Sequence, residues 1–289
     1  MRVFVTGATG FIGSALVPEL IQAGHQVLGL ARSDAAVASL TAAGAEPHRG
    51  SLEDLESLRH GTARADAVIH AGFIHDFSRF AENSEVDRRA ILALGEALAG
   101  SDRPLIVTSG VGVTPGRLRT EEDAPTPPSA AVPRASEQAA LIAEAQGTSV
   151  RVVRLPQVHD QKRQGLITYA IAIAREKGVS AYVGDGLNRM PAVHRLDAAR
   201  LYRLVLEKGL PRARYHAVAE EGVPVREIAE AIGRRLNVPV VSMSPEEAGA
   251  HFGWLGGIIG FDMPASSTLT QERLGWRPTG PGLVSDIDH

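Results

Sequence analysis

The 289-residue chain has no cysteine. Disulfides, cysteine-ligated metal and thiol catalysis are excluded together, so any chemistry must lie elsewhere. Charge of one sign is missing too: the formal net charge is −3, and only Lys162, Lys177 and Lys208 among the 30 basic residues are lysine. The arginines are scattered rather than blocked, which gives no basic footprint for nucleic acid. No apolar run reaches the roughly 18 residues of a membrane span, and the chain starts on a strand rather than on a charged and then apolar leader. A soluble cytoplasmic protein with neither a nucleic-acid nor a membrane partner is expected. Ten histidines occur, but none stands at i, i+4 on a helix with a carboxylate partner, so no metal is expected.

What the chain does have is 44% apolar residues, enough for one large α/β domain or a main domain with a smaller partner. Its opening run, Met1-Arg-Val-Phe-Val-Thr-Gly-Ala-Thr-Gly-Phe-Ile-Gly13, reads as a buried strand, a glycine turn and a helix start. That order cradles a dinucleotide. Gly7 turns the chain out of the strand, Gly10 lets backbone N–H groups approach a pyrophosphate, and Gly13 lets the helix pack close. Helical apolar spacing over 14–23, with Pro18 tolerable only near a first turn, leads to Gly24 as a C-cap and a strand over 26–30. This completes a βαβ unit.

Strands over 45–48, 67–70, 104–108 and 149–155 alternate with helices over 34–43, 52–60, 83–99 and 134–146, which predicts a Rossmann-type, doubly wound parallel sheet. The proline-rich stretch from Pro115 to Pro133 reads as a surface loop. Beyond Pro156 the rhythm changes, with helices over 166–177 and 197–208, an irregular segment over 184–191, and a helix over 223–236 introduced by Pro224. Residues 251–263 are glycine-rich and apolar and suit a pocket wall or lid. The expected division is a dinucleotide-binding domain over 1–156, to which 192–218 returns, and a smaller C-terminal substrate-binding region formed by 157–191 and 219–289.

Together, Thr6-Gly-Ala-Thr-Gly-Phe-Ile-Gly13, His70-Ala-Gly72, Thr108-Ser-Gly110, Arg154-Leu-Pro-Gln-Val158 and Val193-His-Arg-Leu-Asp197 resemble the short-chain dehydrogenase/reductase superfamily, in its extended NAD-dependent epimerase/dehydratase branch. The resemblance spans nearly the whole chain. It implies that Gly7, Gly10, Phe11 and Ile12 line the pyrophosphate, with Thr9, Gly13, Ser33 and Thr108 also at the cofactor. Ser51 and Leu52 would meet the adenine, Ala71, Gly72 and Phe73 the ribose and linker, and Pro156, Gln157 and Val158 the nicotinamide. It also implies a homodimer paired through the helices over 83–99 and 134–146. Arg32 ends the second strand, where an acidic residue would favour a ribose 2′-hydroxyl and an arginine accepts a 2′-phosphate. NADP(H) is therefore expected over NAD(H), with nearby Asp34 acting against it.

The superfamily's catalytic acid is a tyrosine activated by a lysine four residues on, because hydride transfer to a carbonyl leaves an alkoxide that needs a proton. This chain lacks that pair. All four tyrosines (Tyr169, Tyr182, Tyr202, Tyr215) follow the sixth strand, and the helix that should carry the motif reads Pro133-Arg-Ala-Ser-Glu-Gln138. It is thus most similar to atypical members that keep the glycine loop without the usual active-site residues. Candidate proton donors are His75 and His159, each followed by an aspartate, Asp76 or Asp160, that could orient it. Ser109 is a candidate polarising donor, and Arg134 a candidate holder of an anionic substrate or a cofactor phosphate. His194 would border the pocket and Asp197 would cap the next helix. Trp254, Phe252, Phe261 and Met263 could supply apolar walls. These readings amount to an NADP(H)-dependent oxidoreductase that reduces a small apolar carbonyl or imine compound with a non-standard proton donor. The alternative is a non-catalytic NADP(H)-binding redox sensor or regulatory protein.

Overall fold

The first strand, β1 (Arg2–Thr6), is buried from Val3 onward, so it needs parallel neighbours and helices on both sheet faces. The computed structural model, which describes residues 1–129 and 132–289, has that arrangement. After β1 come α1 (Gly13–Gln22), β2 (Gln26–Ala31), α2 (Asp34–Ala42), β3 (Glu46–Arg49), α3 (Leu55–Ala63), β4 (Ala67–His70), α4 (Phe80–Leu98), β5 (Pro104–Gly110), α5 (Ser136–Ala145) and β6 (Ser149–Leu155). The chain continues through β7 (Gln157–His159), α6 (Ile167–Lys177), β8 (Ser180–Val183), β9 (Arg189–His194), α7 (Arg195–Lys208) and β10 (Arg214–His216). It ends with β11 (Glu220–Pro224), α8 (Val225–Leu236), β12 (Val240–Met243), α9 (Pro245–Phe252), α10 (Gly256–Ile259), α11 (Thr268–Leu274) and α12 (Leu283–Asp288).

The main sheet runs β3–β2–β1–β4–β5–β6–β10, with every neighbouring pair parallel. Its order reverses between β1 and β4, so a crevice opens beyond the carboxyl ends of these strands, where open α/β sheets take their ligands. Leu16 and Leu20 of α1 pack with Leu201 and Tyr202 of α7 on one face; Leu58, Ile91, Leu94 and Ala143 from α3, α4 and α5 fill the other. A second core gathers Ile167 and Ile171 of α6, Ile228 and Ile232 of α8, Phe252 of α9 and Ile287 of α12. Two small sheets frame it, β7–β9–β11 and β8–β12. No helix among the described residues is long and apolar enough to cross a membrane.

Several expectations change for local reasons. Helix α3 begins at Leu55, because Asp54 caps it by accepting the Ser57 N–H at 3.1 Å. Pro18 stands in the middle of α1; the Ser14 carbonyl that it leaves without a donor belongs to an exposed residue, where water can serve it. Part of the segment read as irregular is β9, the central strand of its small sheet. The proline-rich stretch is not wholly superficial: Arg119 is buried and bridges to Ala265, while buried Glu121 accepts the Thr270 N–H at 2.7 Å. Residues 130 and 131 of that stretch lie outside the described residues.

Candidate active site

The turn between β1 and α1 is built by absent side chains. Gly7 has φ of +68°, and a Cβ there would lie 2.6 Å from the Gly72 Cα; one at Gly13 would lie 2.0 Å from the Gly7 carbonyl oxygen. The Gly10 N–H closes the turn on Gly7 O at 2.8 Å, leaving Thr9 and Gly10 exposed at its tip. Phe11 and Ile12 are half-buried beside it. Ala71 and Gly72 run alongside from β4, tied down where the Gly72 N–H donates to Thr6 Oγ1 at 3.2 Å. Leu52 reaches the same place, 3.2 Å from where a Gly72 Cβ would stand, with Ser51 next to it in the chain. A turn too tight for a Cβ at Gly7 or Gly13, with an exposed tip at the start of a helix, fits the pyrophosphate of NAD(P).

Arg32 is exposed just past β2 and makes no hydrogen bond or ion pair among the described residues. Its acidic neighbour Asp34 is engaged by Arg49, whose hydrogen bond holds that carboxyl below the usual range. Ser33 caps α2, accepting the Ala36 N–H at 3.2 Å.

At the far side of the crevice β5 ends in Thr108, Ser109 and Gly110. Thr108 is buried, with its hydroxyl 2.6 Å from the Tyr202 hydroxyl, and its carbonyl accepts from Arg134 Nη2 at 3.2 Å. Ser109 is half-buried, and its hydroxyl has no partner among the described residues. The Arg134 guanidinium lies 4.4 Å from the centre of the Phe73 ring, and its Nε donates to Ser136 Oγ at 2.8 Å. His75 lies edge-on to Phe73 with ring centres 5.2 Å apart. One side of His75 is open to water, yet desolvation by the surrounding protein, then the charges of Arg134 and Arg163, push its pKa below the ordinary imidazole value. Beyond it, Phe77 stacks on Trp254 at 4.8 Å, and Tyr169 meets Trp254 edge-on at 5.3 Å. This aromatic wall joins the loop after β4 to the C-terminal core.

Other sequence candidates are placed differently. His159 is fully buried in β7, its Nδ1 2.7 Å from Asp286 Oδ2 in α12, so it does not face an open crevice. Burial outweighs the nearby Asp286 carboxylate and lowers its pKa. Asp160 does not orient it; that side chain pairs with Arg195 at 3.0 Å and accepts the Lys162 and Arg163 N–H groups. Asp76 likewise accepts the Ser78 N–H at 3.0 Å in a tight turn rather than serving His75. His194 is the residue that caps α7, and Asp197 lies in the first turn of that helix, where it accepts the Thr279 and Gly280 N–H groups and anchors the C-terminal segment. Phe252 belongs to the second core and Met263 to its edge, so neither lines the wall; Phe261 is exposed. Gln157 turns away to accept the Leu166 N–H at 3.0 Å, Val158 is buried, and Pro156 stays half-buried between β6 and β7.

Three features escaped the sequence reading. Tyr202 lies directly beneath Thr108, but complete burial raises its pKa and keeps it from the crevice. Glu137, on the helix that should carry the lysine, points inward and makes a two-pronged ion pair with Arg154 at 2.9 Å for each contact. Phe77 and Tyr169 meet Trp254 only through the fold; an aromatic-rich loop, Phe73 to Phe80, was their sole signal. No group of three or more His, Asp or Glu side chains among the described residues is arranged to hold a metal.

Comparison with known proteins agrees with this geometry. The model of the NAD dependent epimerase/dehydratase family matches residues 3–217. An uncharacterized protein of Schizosaccharomyces pombe is 50% identical, over 99% of this chain and 98% of its own length. The 2-alkyl-3-oxoalkanoate reductase of Stenotrophomonas maltophilia is 28% identical, over 83% of this chain and 77% of its own. Among solved structures, a UDP-glucose 4-epimerase from Thermotoga maritima, with UDP-glucose, superposes at a TM-score of 0.77 with 21% identity, covering 100% of this chain and 96% of that one.

Proposed function

Because this chain belongs to the NAD-dependent epimerase/dehydratase family, we propose that it is a reductase that uses NADPH to reduce a carbonyl, or a protonated imine, on a small and mainly apolar molecule. The observation that carries the reading is the meeting of an unengaged Ser109 hydroxyl, Arg134, His75 and an aromatic wall at the sheet edge that also bears the glycine cradle. The relative named as a 2-alkyl-3-oxoalkanoate reductase supports the same substrate chemistry.

Reduced nicotinamide supplies a hydride when bound. Ser109 donates a hydrogen bond to the carbonyl oxygen and steadies the negative charge that develops there, with Arg134 nearby to hold an anionic group of the substrate. His75 gives the proton, and its lowered pKa favours mildly acidic conditions for that step. An unpaired Arg32, beside an Asp34 already engaged by Arg49, supports NADPH over NADH. Exposed Leu141 and Ile142 on α5 support a homodimer, which Leu141→Glu should convert to monomer in light scattering.

The test is NADPH consumption across aldehydes, ketones and cyclic imines. Turnover that disappears in Ser109→Ala supports the reading; tight NADPH binding with no turnover on the whole panel removes it. One observation favours a cofactor-reporting binder instead: Glu137 and Tyr202 are both committed to the interior. A partner whose affinity changes with cofactor, in a protein without turnover, would select that reading.

A further inference from the structure

We propose that Arg134 is the anchor for a carboxylate on the substrate, making the preferred substrate an oxo-carboxylic acid whose carbonyl lies at Ser109 and whose apolar tail lies on the Phe73–Phe77–Trp254 wall. This rests on the carbonyl-reductase reading and specifies its substrate class.

Arg134 is held from behind by a buried chain of polar groups. Its Nε donates to Ser136 Oγ, and the Ser136 hydroxyl in turn donates to Asp87 Oδ2 at 2.6 Å. The other Asp87 oxygen lies 3.1 Å from His70 Nε2, and His70 Nδ1 lies 2.9 Å from Thr6 Oγ1. Thr6, His70, Asp87 and Ser136 are all at most 2% exposed. Every polar group in the chain has a partner: Thr6 Oγ1 bonds to Nδ1 and also accepts the Gly72 N–H, and Nε2–H donates to Asp87. Burial favours the neutral Asp87 acid, but Arg134, His70 and Ser136 together hold its pKa below the ordinary value, so the carboxylate persists.

From the front the guanidinium is open. Two of its five N–H donors are used, one on Ser136 and one on the Thr108 carbonyl. The others form a planar fork that fits a carboxylate, and the Phe73 ring fixes that plane from one side. The brace also sets Arg134 as the counter-charge of buried Asp87, Nε lying 3.8 Å from Oδ2, and it fixes the guanidinium while leaving its Nη1 donors free. Arg163, which also acts on His75, adds positive charge and has no acidic partner among the described residues. Its position on Phe11, 5.4 Å from the ring centre, keeps that charge at the crevice. Since Arg134 is tied to the end of β5, two strands from the glycine turn on β1, its open donors face the substrate end of the crevice.

The experiment uses full-length protein saturated with NADPH, calorimetry, and two probes: benzoylacetate and its neutral ethyl ester. Wild type should bind the acid at least tenfold more tightly than the ester. Arg134→Ala should lose that preference while its NADPH affinity is unchanged, and millimolar guanidinium should restore it. Ser136→Ala should lose part of it, as a positioning residue would. Equal binding of acid and ester by wild type, or an unchanged preference in Arg134→Ala, overturns the anchor. Arg134-dependent binding of the acid without NADPH oxidation would leave the anchor and remove the reductase reading; equal reduction of both probes by wild type and Arg134→Ala would do the reverse.

Discussion

Placing a lysine at Glu137 would give α5 the type of residue that the superfamily's usual catalytic helix carries, yet the structure says that it should damage the fold rather than supply the chemistry. Glu137 is buried, and its two oxygens accept from Arg154 Nε and Nη2 at 2.9 Å each. Arg154 is fully buried in β6, also donates to the Asp123 carbonyl at 2.8 Å, and meets His216 at 3.3 Å. Removing one partner of such a pair costs about 3–5 kcal/mol, because the other charge stays buried without compensation. That is a large share of the roughly 5–15 kcal/mol that holds a domain folded. At about 2 °C per kcal/mol for a chain of this size, Glu137→Gln should lower Tm by about 6–10 °C. Glu137→Lys should lower it further, since it sets a third cation beside Arg154 and Arg214. Circular dichroism melts check this, with Glu144→Gln on the same helix as a control that shifts little. Melts of both Glu137 variants within about 2 °C of wild type would refute the claim that this pair ties α5 to β6.

Arg32→Ala should reduce the ratio of NADPH to NADH affinity by about 10- to 100-fold, the size of a lost charged hydrogen bond, as fluorescence titration would show; an unchanged ratio removes the 2′-phosphate argument. Burial and then the Arg154 charge push His216 down to about 3 from 6.5, so folding excludes a proton that the unfolded chain binds. That contribution to stability is complete above pH 6.5 and fades as pH falls towards 3. About 2 kcal/mol should be lost at pH 5, and His216→Gln should flatten the fall of Tm over this window. Ser109→Ala should lower kcat about 100-fold with little change in NADPH affinity. With His75 as the donor, kcat should rise as pH falls towards a midpoint below the ordinary imidazole value and be flat in His75→Ala; identical pH profiles would end that role.

What could be read from sequence was what local geometry enforces. The glycine turn is legible because Gly7, Gly10 and Gly13 act on one another within seven residues: the left-handed φ of Gly7 and the contact of a Gly13 Cβ with Gly7 O are neighbour effects. The parallel sheet is legible because strands buried on both faces, such as β4 and β5, run apolar from their start and turn polar only at their carboxyl ends. The side-chain partners were not legible. Adjacent Asp160 looked like the orienting group for His159, but short acidic side chains are readily taken by the turn they stand in, and the true partner, Asp286, is 127 residues away. The aromatic wall failed for the same reason, since Trp254 finds Phe77 and Tyr169 across the whole fold.

Thr108 shows how the interior can position the proposed site. Its hydroxyl meets Tyr202 of α7 from within the core, while its carbonyl takes the Arg134 guanidinium at the rim of the crevice. Tyr202 is fully buried and its phenol resists ionisation, so it serves as a fixed hydrogen-bonding post and not as an acid. Held from both sides, the end of β5 keeps its register with β6, where Ser109 lies opposite Arg154 and Arg154 is in turn fixed by Glu137. Under the proposed function, these interior groups fix the backbone from which Ser109 and the donors of Arg134 reach the crevice. A change in that interior would misplace both donors together, whereas a change at Ser109 or Arg134 would remove one and leave the other in register.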